Sequence, residues 1–148
     1  MAVRINTNRH VKNRALSLEM GEDGVSVNEE RVLRVDVAEP RRDKNGVPMT
    51  HIEYVVDDED FSEDNGVRIF REYSHKNDQS MGWLREVFES ALGPIQGDEA
   101  GDIDLEESDL IGKLVVGLCF NETYQGRVQA RVGAISSLES DSDESDPS

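Results

Sequence analysis

Apolar and polar residues alternate along several short segments of the chain, and this alternation predicts β-strands. In residues 31–37, Leu33, Val35 and Val37 share one face, while Arg34 and Asp36 point the other way. The same pattern recurs, in chain order, in residues 50–56, 67–73 and 127–132. Residues 110–120 are apolar on both faces, which is typical of a strand inside a sheet. Five strands are therefore expected.

One segment has helical spacing instead. From Met81 the apolar residues fall at positions 81, 84, 88, 91 and 92, which lie on one side of an α-helix. Asn77 or Asp78 is suited to cap the amino end of this helix, and Gly93-Pro94 is expected to end it. The elements thus run β-β-β-α-β-β.

This order predicts an all-β domain with one helix, formed by residues 31–135. Five strands with a helix between the third and fourth is the element order of an OB-fold barrel. Residues 1–30 show no regular period and begin with basic residues, so we expect a flexible basic arm there. Residues 136–148 are an acidic, low-complexity tail, which we expect to be disordered.

An OB-fold binds oligonucleotides on the face of strands 2 and 3 and on the loops between strands 1 and 2 and strands 4 and 5. Basic and aromatic residues fall in these places. Basic side chains can contact phosphates, and aromatic rings can stack on unpaired bases. The candidate nucleic-acid-binding residues are Arg41, Arg42 and Lys44 in the loop 39–48, Arg68, Phe70, Arg71 and Tyr73 on strand 3, Tyr124 in the loop 121–126, and Arg127 and Arg131 on strand 5.

Each candidate also has a purely structural interpretation. Phe70 could fill the barrel interior, and Arg127 and Arg131 could be ordinary solvated charges. Tyr73 and Tyr124 lie at element ends, where we expect exposure. Four other aromatic residues are expected to pack in the core: Tyr54, Trp83, Phe88 and Phe120.

The formal net charge of −16 is unevenly distributed. Residues 57–64, 98–109 and 137–148 carry 18 acidic residues and no Lys or Arg, which leaves the rest of the chain almost neutral. The two inner acidic runs are interpreted as solvated loops that aid solubility. For the tail two interpretations remain: solubility, or an interaction element that competes for a basic groove.

Several function classes lack their sequence signals. Cys119 is the only cysteine and there are three His, so neither a disulfide nor a structural zinc site is expected. Residues 60–71 fail as a calcium loop, with Asn65 at the sixth position and Arg71 at the twelfth. No phosphate-binding, nucleophile-elbow or zinc-protease motif occurs. We therefore expect no enzyme and no cofactor. Without a signal-peptide or membrane-span pattern, we expect a cytoplasmic protein.

Two stretches resemble a family of unknown function encoded among phage replication and recombination genes. Residues 34–56 resemble its strand, charged loop, "G-x-P-M" and second strand. Residues 110–135 resemble its "L-x-G-K … E-x-Y-x-G-K/R … R-V" ending, at Leu110, Gly112, Lys113, Glu122, Tyr124, Gly126, Arg127, Arg131 and Val132. The resemblance implies an OB-fold-like single-stranded-DNA-binding protein whose acidic tail recruits replication proteins. The tail here ends in Asp146-Pro147-Ser148, without the terminal apolar pair of bacterial single-stranded-DNA-binding proteins.

The sequence thus predicts a sequence-independent single-stranded-DNA-binding protein that serves phage replication or recombination in a bacterial host. Its expected partners are single-stranded DNA, replication or recombination proteins at the tail, and a second copy of the chain paired through exposed strand edges. The alternatives are an acidic protein-interaction module, a DNA mimic and a structural virion protein.

Overall fold

The computed structural model describes residues 15–95 and 105–138. They form one five-stranded antiparallel sheet, one α-helix and two short 3-10 helices. The strands are β1 (Glu29–Arg42), β2 (Pro48–Val56), β3 (Arg68–Ser74), β4 (Leu114–Tyr124) and β5 (Arg127–Ser136), with helix α1 (Asp78–Leu92) between β3 and β4. The prediction of a mostly β domain with five strands and one helix is confirmed.

The sheet has the order β3-β2-β1-β4-β5, so β3 and β5 are its two edges. These edges come close to each other and to α1, but no strand pairing joins them in the part of the chain that the structure describes. The sheet is therefore curled and not closed, which is consistent with a small barrel-like fold.

The core lies on the inner face of the curled sheet. Leu33, Ile52 and Ile69, from three neighbouring strands, are completely buried there. Val87 and Phe88 of α1 pack onto the same cluster. Burying each such side chain contributes about 1.5–3 kcal/mol to stability. Because every second residue must face this core, the alternation in the sequence predicted these strands well.

Helix α1 has the predicted ends. The Asn77 side chain accepts a hydrogen bond from the Ser80 backbone N–H at 3.0 Å, which caps the amino end. Gly93 follows Leu92 with a φ of 99°, a left-handed value that favours glycine. Trp83 differs from the prediction: it is 41% exposed and does not belong to the core. Phe88 is buried as expected.

Strand β1 is longer than the sequence suggested. The predicted loop 39–48 is paired with β2 from Glu39 to Arg42, and only residues 43–47 form the turn. Pro40 was the misleading signal. It lies within the β1–β2 pair, opposite Thr50, beyond the stretch of β1 that also pairs with β4. Proline is tolerated at such edge positions.

The segment 15–28 is packed against the sheet and is not a flexible arm. Leu16 is buried, and its backbone N–H donates to the Asn121 side-chain oxygen at 2.8 Å. The Asn121 side-chain amide donates back to the Leu16 carbonyl at 2.8 Å. The first half of the predicted arm, residues 1–14, lies outside the described residues.

The acidic run 57–64 is also more than a solvated loop. It contains a 3-10 helix (Glu59–Asp64), and Asp64 is completely buried. Asp64 accepts hydrogen bonds from the side chain of Arg31 at 3.1 Å and from the backbone N–H of Ser17 at 2.8 Å. The Arg31 guanidinium also lies 3.6 Å from the centre of the Phe61 ring. Part of the negative charge therefore stabilises the fold.

The end of the predicted domain at Ile135 is one residue short, because β5 continues to Ser136. Residues 136–138 of the predicted tail are described, and residues 139–148 lie outside the described part. Within the described ranges, the single α-helix has 15 residues and is too short and too polar to cross a membrane.

Candidate nucleic-acid interface

The ten candidate residues do not form one groove. The structure places them on four surfaces: the β1–β2 turn, the outer face of β2 and β3, the cleft between the two sheet edges, and the β4–β5 hairpin. In the β1–β4 pairing, Arg34 lies opposite Leu114 and Glu29 opposite Cys119. The β1–β2 turn and the β4–β5 turn therefore lie beyond opposite ends of this ladder.

The β1–β2 turn carries exposed positive charge. Arg41 and Arg42 are on the last residues of β1, and Lys44 is in the turn. Arg41 pairs with Glu39 at 3.1 Å, and both side chains are more than 40% exposed. Arg42 donates to the Gly46 carbonyl at 2.8 Å, which holds the turn. The turn itself is built around Asp43, whose side chain accepts from two backbone N–H groups, those of Asn45 and Val47.

The outer face of β2 and β3 is not a basic surface. Arg68 is 7% exposed, and it donates to Asp36 at 2.7 Å and to Glu53 at 3.0 Å. Its charge is therefore neutralised inside the protein, which corrects its prediction as a free phosphate contact. Phe70 is half-buried and stacks on the His51 ring, with 6.0 Å between ring centres.

His51 is held on this face by carboxylates. It contacts Glu53 through Nε2 at 2.9 Å and Glu72 through Nδ1 at 2.5 Å. Together with Asp36 and Glu39, these residues make the outer face of β1 to β3 rich in acidic groups. A phosphate backbone would be repelled there.

At the cleft between the sheet edges, Tyr73 is 1% exposed, contrary to prediction. Its hydroxyl is hydrogen-bonded to that of Tyr54 at 2.9 Å. Tyr73 lies near the end of β3 but faces inward, and α1 closes over it. Burial raises the pKa of both tyrosines above their usual value. Tyr73 is therefore a core residue and not a stacking platform.

Arg71 bridges this cleft. Its terminal NH1 donates to the carbonyls of Val132 at 2.7 Å and Gly133 at 2.9 Å, both on β5. The guanidinium lies 4.9 Å from the Tyr73 ring centre and 5.0 Å from that of Trp83. Arg71 thus connects β3 to β5, which backbone hydrogen bonds would do if the two strands were paired.

The remaining three candidates, Tyr124, Arg127 and Arg131, come together on the β4–β5 hairpin. Tyr124 lies directly opposite Arg127 in the strand pairing. These residues and two glutamines line one open depression of about 430 Å³: Tyr124, Gln125, Arg127, Gln129 and Arg131. Tyr124 is 45% exposed, and no carboxylate pairs with Arg127 among the described residues.

The turn sequence explains why the hairpin forms. Gln125 and Gly126 have φ values of 52° and 78°, and they connect Tyr124 to Arg127 directly. Two successive residues with positive φ make the tight turn that matches the twist of a β-hairpin. Glycine adopts this conformation without strain, while Gln125 does so at some cost. The predicted six-residue turn 121–126 is thus a two-residue turn, and β4 extends to Tyr124.

Pairing in the hairpin brings in residues that the sequence prediction missed. Phe120 lies opposite Arg131, and Glu122 lies opposite Gln129. Asn121 and Ala130, the pair between them, are buried on the inner side. We call the opposite side the hairpin face: Phe120, Glu122, Tyr124, Arg127, Gln129 and Arg131. Phe120 was expected in the core because β4 is apolar on both faces, and only its partner in β5 shows which way it points.

The hairpin face carries two arginines and one carboxylate. Arg131 and Glu122 are 3.6 Å apart, and both side chains are more than a third exposed, so this pair is weak. The face therefore combines two aromatic rings, one amide and a net positive charge on a pair of strands. Comparison of the sequence with protein-family models and with curated proteins gives no match to this chain.

Proposed function

We propose that the protein binds single-stranded DNA, with little sequence preference, through the hairpin face. The observation that carries this proposal is the direct cross-strand pairing of exposed Tyr124 with Arg127. Side chains in such pairs lie about 5 Å apart at their β-carbons. A base can therefore stack on the ring while its phosphate contacts the neighbouring guanidinium.

The second cross-strand pair repeats this chemistry. Phe120 and Arg131 lie four residues from Tyr124 and Arg127 along their strands. At about 3.4 Å per residue, the two pairs are separated by about 14 Å, a distance that an extended single strand spans in a few nucleotides. Base stacking contributes about 1–3 kcal/mol per base and accepts any base. Gln129, between the pairs, offers both a donor and an acceptor.

Duplex DNA suits this face less well. Its bases are already stacked and paired, so the rings of Tyr124 and Phe120 gain nothing from them. The hairpin also carries only two arginines, few for a duplex-binding surface. The preference for single strands therefore follows from the aromatic half of the face.

The proposed site keeps Tyr124, Arg127 and Arg131 of the predicted one and leaves out the surface of strands 2 and 3. The carboxylates of Glu53, Glu72 and Asp36 lie on that surface and already bind Arg68 and His51. Arg41, Arg42 and Lys44 remain exposed at the other end of β1 and are proposed as secondary phosphate contacts. Arg68 and Tyr73 are not part of the proposal.

The fold is compatible with this function. An open five-stranded sheet with a helix between the third and fourth strands supports an OB-fold-like domain, a class that binds oligonucleotides. The resemblance of residues 34–56 and 110–135 to the phage family supports a role in replication or recombination within a bacterial cytoplasm. Recruitment of replication proteins by the acidic tail and pairing with a second copy belong to the same proposal.

The negative charge of the chain restricts how binding occurs. A molecule of charge −16 repels DNA at long range, so affinity must come from short-range contacts. We therefore expect modest affinity and slow association. The buried Asp64 is paired with Arg31 at 3.1 Å, so its charge is neutralised within the fold.

The test removes the two arginines of the hairpin face. Each phosphate contact to a single strand contributes about 0.7 to the slope of log K against log salt. Arg127→Ala with Arg131→Ala should reduce the slope for an oligothymidine by about 1.4 and weaken binding. Arg34→Ala with Arg85→Ala removes the same charge from elsewhere and should leave the slope unchanged. An equal effect of both double variants would reject the hairpin face as the site.

One observation favours a second candidate, an acidic surface that binds a basic protein. Glu39 and Glu72 are each 47% exposed on the ordered outer face of β1 to β3. A DNA mimic presents carboxylates on ordered faces in this way. Glu39→Gln with Glu72→Gln should weaken binding to a polycation such as polylysine under this alternative, and should not weaken oligonucleotide binding under the main proposal.

A further inference from the structure

A cavity of about 300 Å³ lies in the cleft between the two edges of the sheet, where α1 covers it. Its walls come from β3, α1 and the end of β5, at residues that the hairpin face does not include. Arg71 and Tyr73 belong to β3, Trp83 and Glu86 to α1, and Gly133 to β5. This volume is at the lower end of the range for small-molecule sites, about 300–1,000 Å³. We call it the cleft cavity.

Arg71, which lines the cleft cavity, has guanidinium donors that the fold does not use. NH1 is used for the two β5 carbonyls. Its Nε and NH2 have no hydrogen-bond partner among residues 15–95 and 105–138. Because NH1 is fixed by two bonds and the group is planar, the remaining donors have a set direction. A ligand with two adjacent acceptors can therefore bind without reorganising the side chain.

Helix α1 supplies an aromatic ring and an acceptor beside Arg71, whose guanidinium lies 5.0 Å from the Trp83 ring centre. Trp83 lines the cavity, and it is 41% exposed although its side chain is large and apolar. Glu86, one helical turn later, also lines it, and no cation or donor pairs with its carboxylate in the described part of the chain. A stacking ring, a planar donor group and a free carboxylate thus surround one space.

We propose that the cleft cavity binds a guanine base. Guanine presents two adjacent acceptors, O6 and N7, which an arginine contacts in a bidentate manner. Its opposite edge carries N1–H and an amino group, both donors, which a carboxylate such as Glu86 accepts. The base, beside the Arg71 guanidinium that already lies 5.0 Å from the Trp83 ring centre, stacks on the exposed part of that ring. Adenine has an amino group in place of O6, and this group would face the guanidinium donors. Cytosine and thymine lack the adjacent O6 and N7 acceptors.

This inference goes beyond the proposed function, because the hairpin face has no means of choosing a base. The guanine could belong to a free nucleotide or to a residue within a DNA strand, and both present the same edges. In the second case the cleft cavity adds a selective position to a surface that is otherwise unselective. Because Arg71 also bridges β3 and β5, an occupied cavity would hold the two sheet edges together.

Trp83 is the only tryptophan in the chain, so its fluorescence reports on this cavity alone. Stacking of a base should quench it. We expect saturable quenching by GMP, with an affinity about tenfold or more above that for AMP, CMP or TMP. Excitation at the red edge of the tryptophan band, with N-acetyltryptophanamide as a reference, corrects for light absorbed by the nucleotides.

Two variants test the assigned contacts. Glu86→Gln lies on an exposed helix position, so it should fold normally and reduce the preference for GMP over AMP. Arg71→Lys keeps the charge but not the planar fork and should remove the preference. Arg85→Ala, next to Glu86 in the helix, is the matched control and should behave as wild type. An unchanged GMP preference in Glu86→Gln would overturn the proposed orientation and the site with it.

An oligothymidine with one central guanine distinguishes the two sources. Quenching by GMP indicates a free nucleotide as a ligand, and quenching only by the guanine-containing oligomer indicates a base within a strand. Equal quenching by all nucleotides, or no guanine-dependent quenching in either form, overturns the proposal. The double variant Arg127→Ala, Arg131→Ala changes the hairpin face and keeps the cleft cavity. We expect GMP to quench Trp83 in this variant as in the wild type. Failure of the cleft cavity can therefore be told apart from failure of the hairpin face.

Discussion

Arg71 and Val132 lie on the two edges of the same sheet and are joined by a hydrogen bond of 2.7 Å from a side chain to a backbone carbonyl. No strand pairing bridges β3 and β5 among the described residues, so this contact and its neighbour at Gly133 connect the edges. The curled shape of the sheet therefore depends partly on one guanidinium.

Replacing Arg71 by Met should loosen this connection. A hydrogen bond from a charged donor contributes about 1.5–3 kcal/mol, and partial exposure here favours the lower value. We expect a loss of about 1–2 kcal/mol in urea unfolding and faster hydrogen exchange of the β5 amides. Arg85→Met, in which an exposed helical ion pair is lost, should cost less than about 0.5 kcal/mol. Equal losses in both variants would show that the bridge contributes nothing.

The buried pair of Arg31 and Asp64 should be much more sensitive. Both side chains are at most 1% exposed, and loss of the Asp64 charge leaves the buried Arg31 with only the 45% exposed Glu29 as an ion partner. Burial opposes the charge on Arg31, but hydrogen bonds to Glu29 and Asp64 outweigh it and raise the pKa of the guanidinium. Asp64→Asn should therefore destabilise the fold by about 3–5 kcal/mol in denaturant unfolding.

The matched control for this pair is Asp57→Asn. Asp57 pairs with Arg34 at 2.8 Å, but both side chains are more than a third exposed. Such pairs contribute about 0–1 kcal/mol. If Asp64→Asn were no more destabilising than Asp57→Asn, the acidic run would be a solvated loop, as the sequence first suggested.

Stability should fall in alkaline solution. Burial raises the pKa of the Cys119 thiol from 9.0 to about 12. Above pH 9 the unfolded chain therefore loses a proton that the folded chain keeps, which favours unfolding by up to about 1.4 kcal/mol per pH unit. The stability that the buried, protonated thiol contributes is fully present below pH 9 and is lost as pH rises towards 12. The raised pKa values of buried Tyr54 and Tyr73 act in the same direction above their ordinary value of 10.0.

Denaturant unfolding at a series of pH values from about 7 to 10.5 measures this effect. Cys119→Ala removes one of the three groups, so its stability curve should decline later and less steeply than that of the wild type. A wild-type curve that stays flat over this range would contradict the burial of these three side chains.

The stacking role of Tyr124 can be separated from its hydroxyl group. Tyr124→Ala should weaken binding of an oligothymidine by about 1–3 kcal/mol, because the ring is lost. Tyr124→Phe keeps the ring and should bind almost as well as the wild type. Fluorescence anisotropy with a labelled oligomer measures both. A Phe variant as weak as the Ala variant would show that Tyr124 acts through its hydroxyl group and not by stacking.

The strands and the helix could be predicted because burial on one face forces a period that is visible in the sequence. Val35 and Ile52 show this period, and both are completely buried. The capping of α1 by Asn77 was equally visible, because capping depends on local chemistry. Predictions of this kind needed only neighbouring residues.

The candidate site could be predicted only in part, because side-chain roles depend on partners that are distant in the chain. In the sequence, Arg68 and Arg127 are both arginines on alternating strands. In the structure, Arg68 is buried and pairs with Asp36 and Glu53. Tyr73 and Tyr124 both lie near the end of an element, yet α1 covers only the first. Similarly, Phe120 belongs to the site because the register places Arg131 opposite it, and register is fixed by tertiary pairing.

The central claim is that the hairpin face recognises unpaired bases, and the most direct measurement compares one sequence in single- and double-stranded form. A labelled oligonucleotide and its duplex are titrated with the full chain at low salt, and anisotropy gives the two affinities. We predict that the single strand binds at least about tenfold more tightly, since stacking on even one ring contributes about 1–3 kcal/mol. Equal affinities, or no binding to either form, would contradict the account.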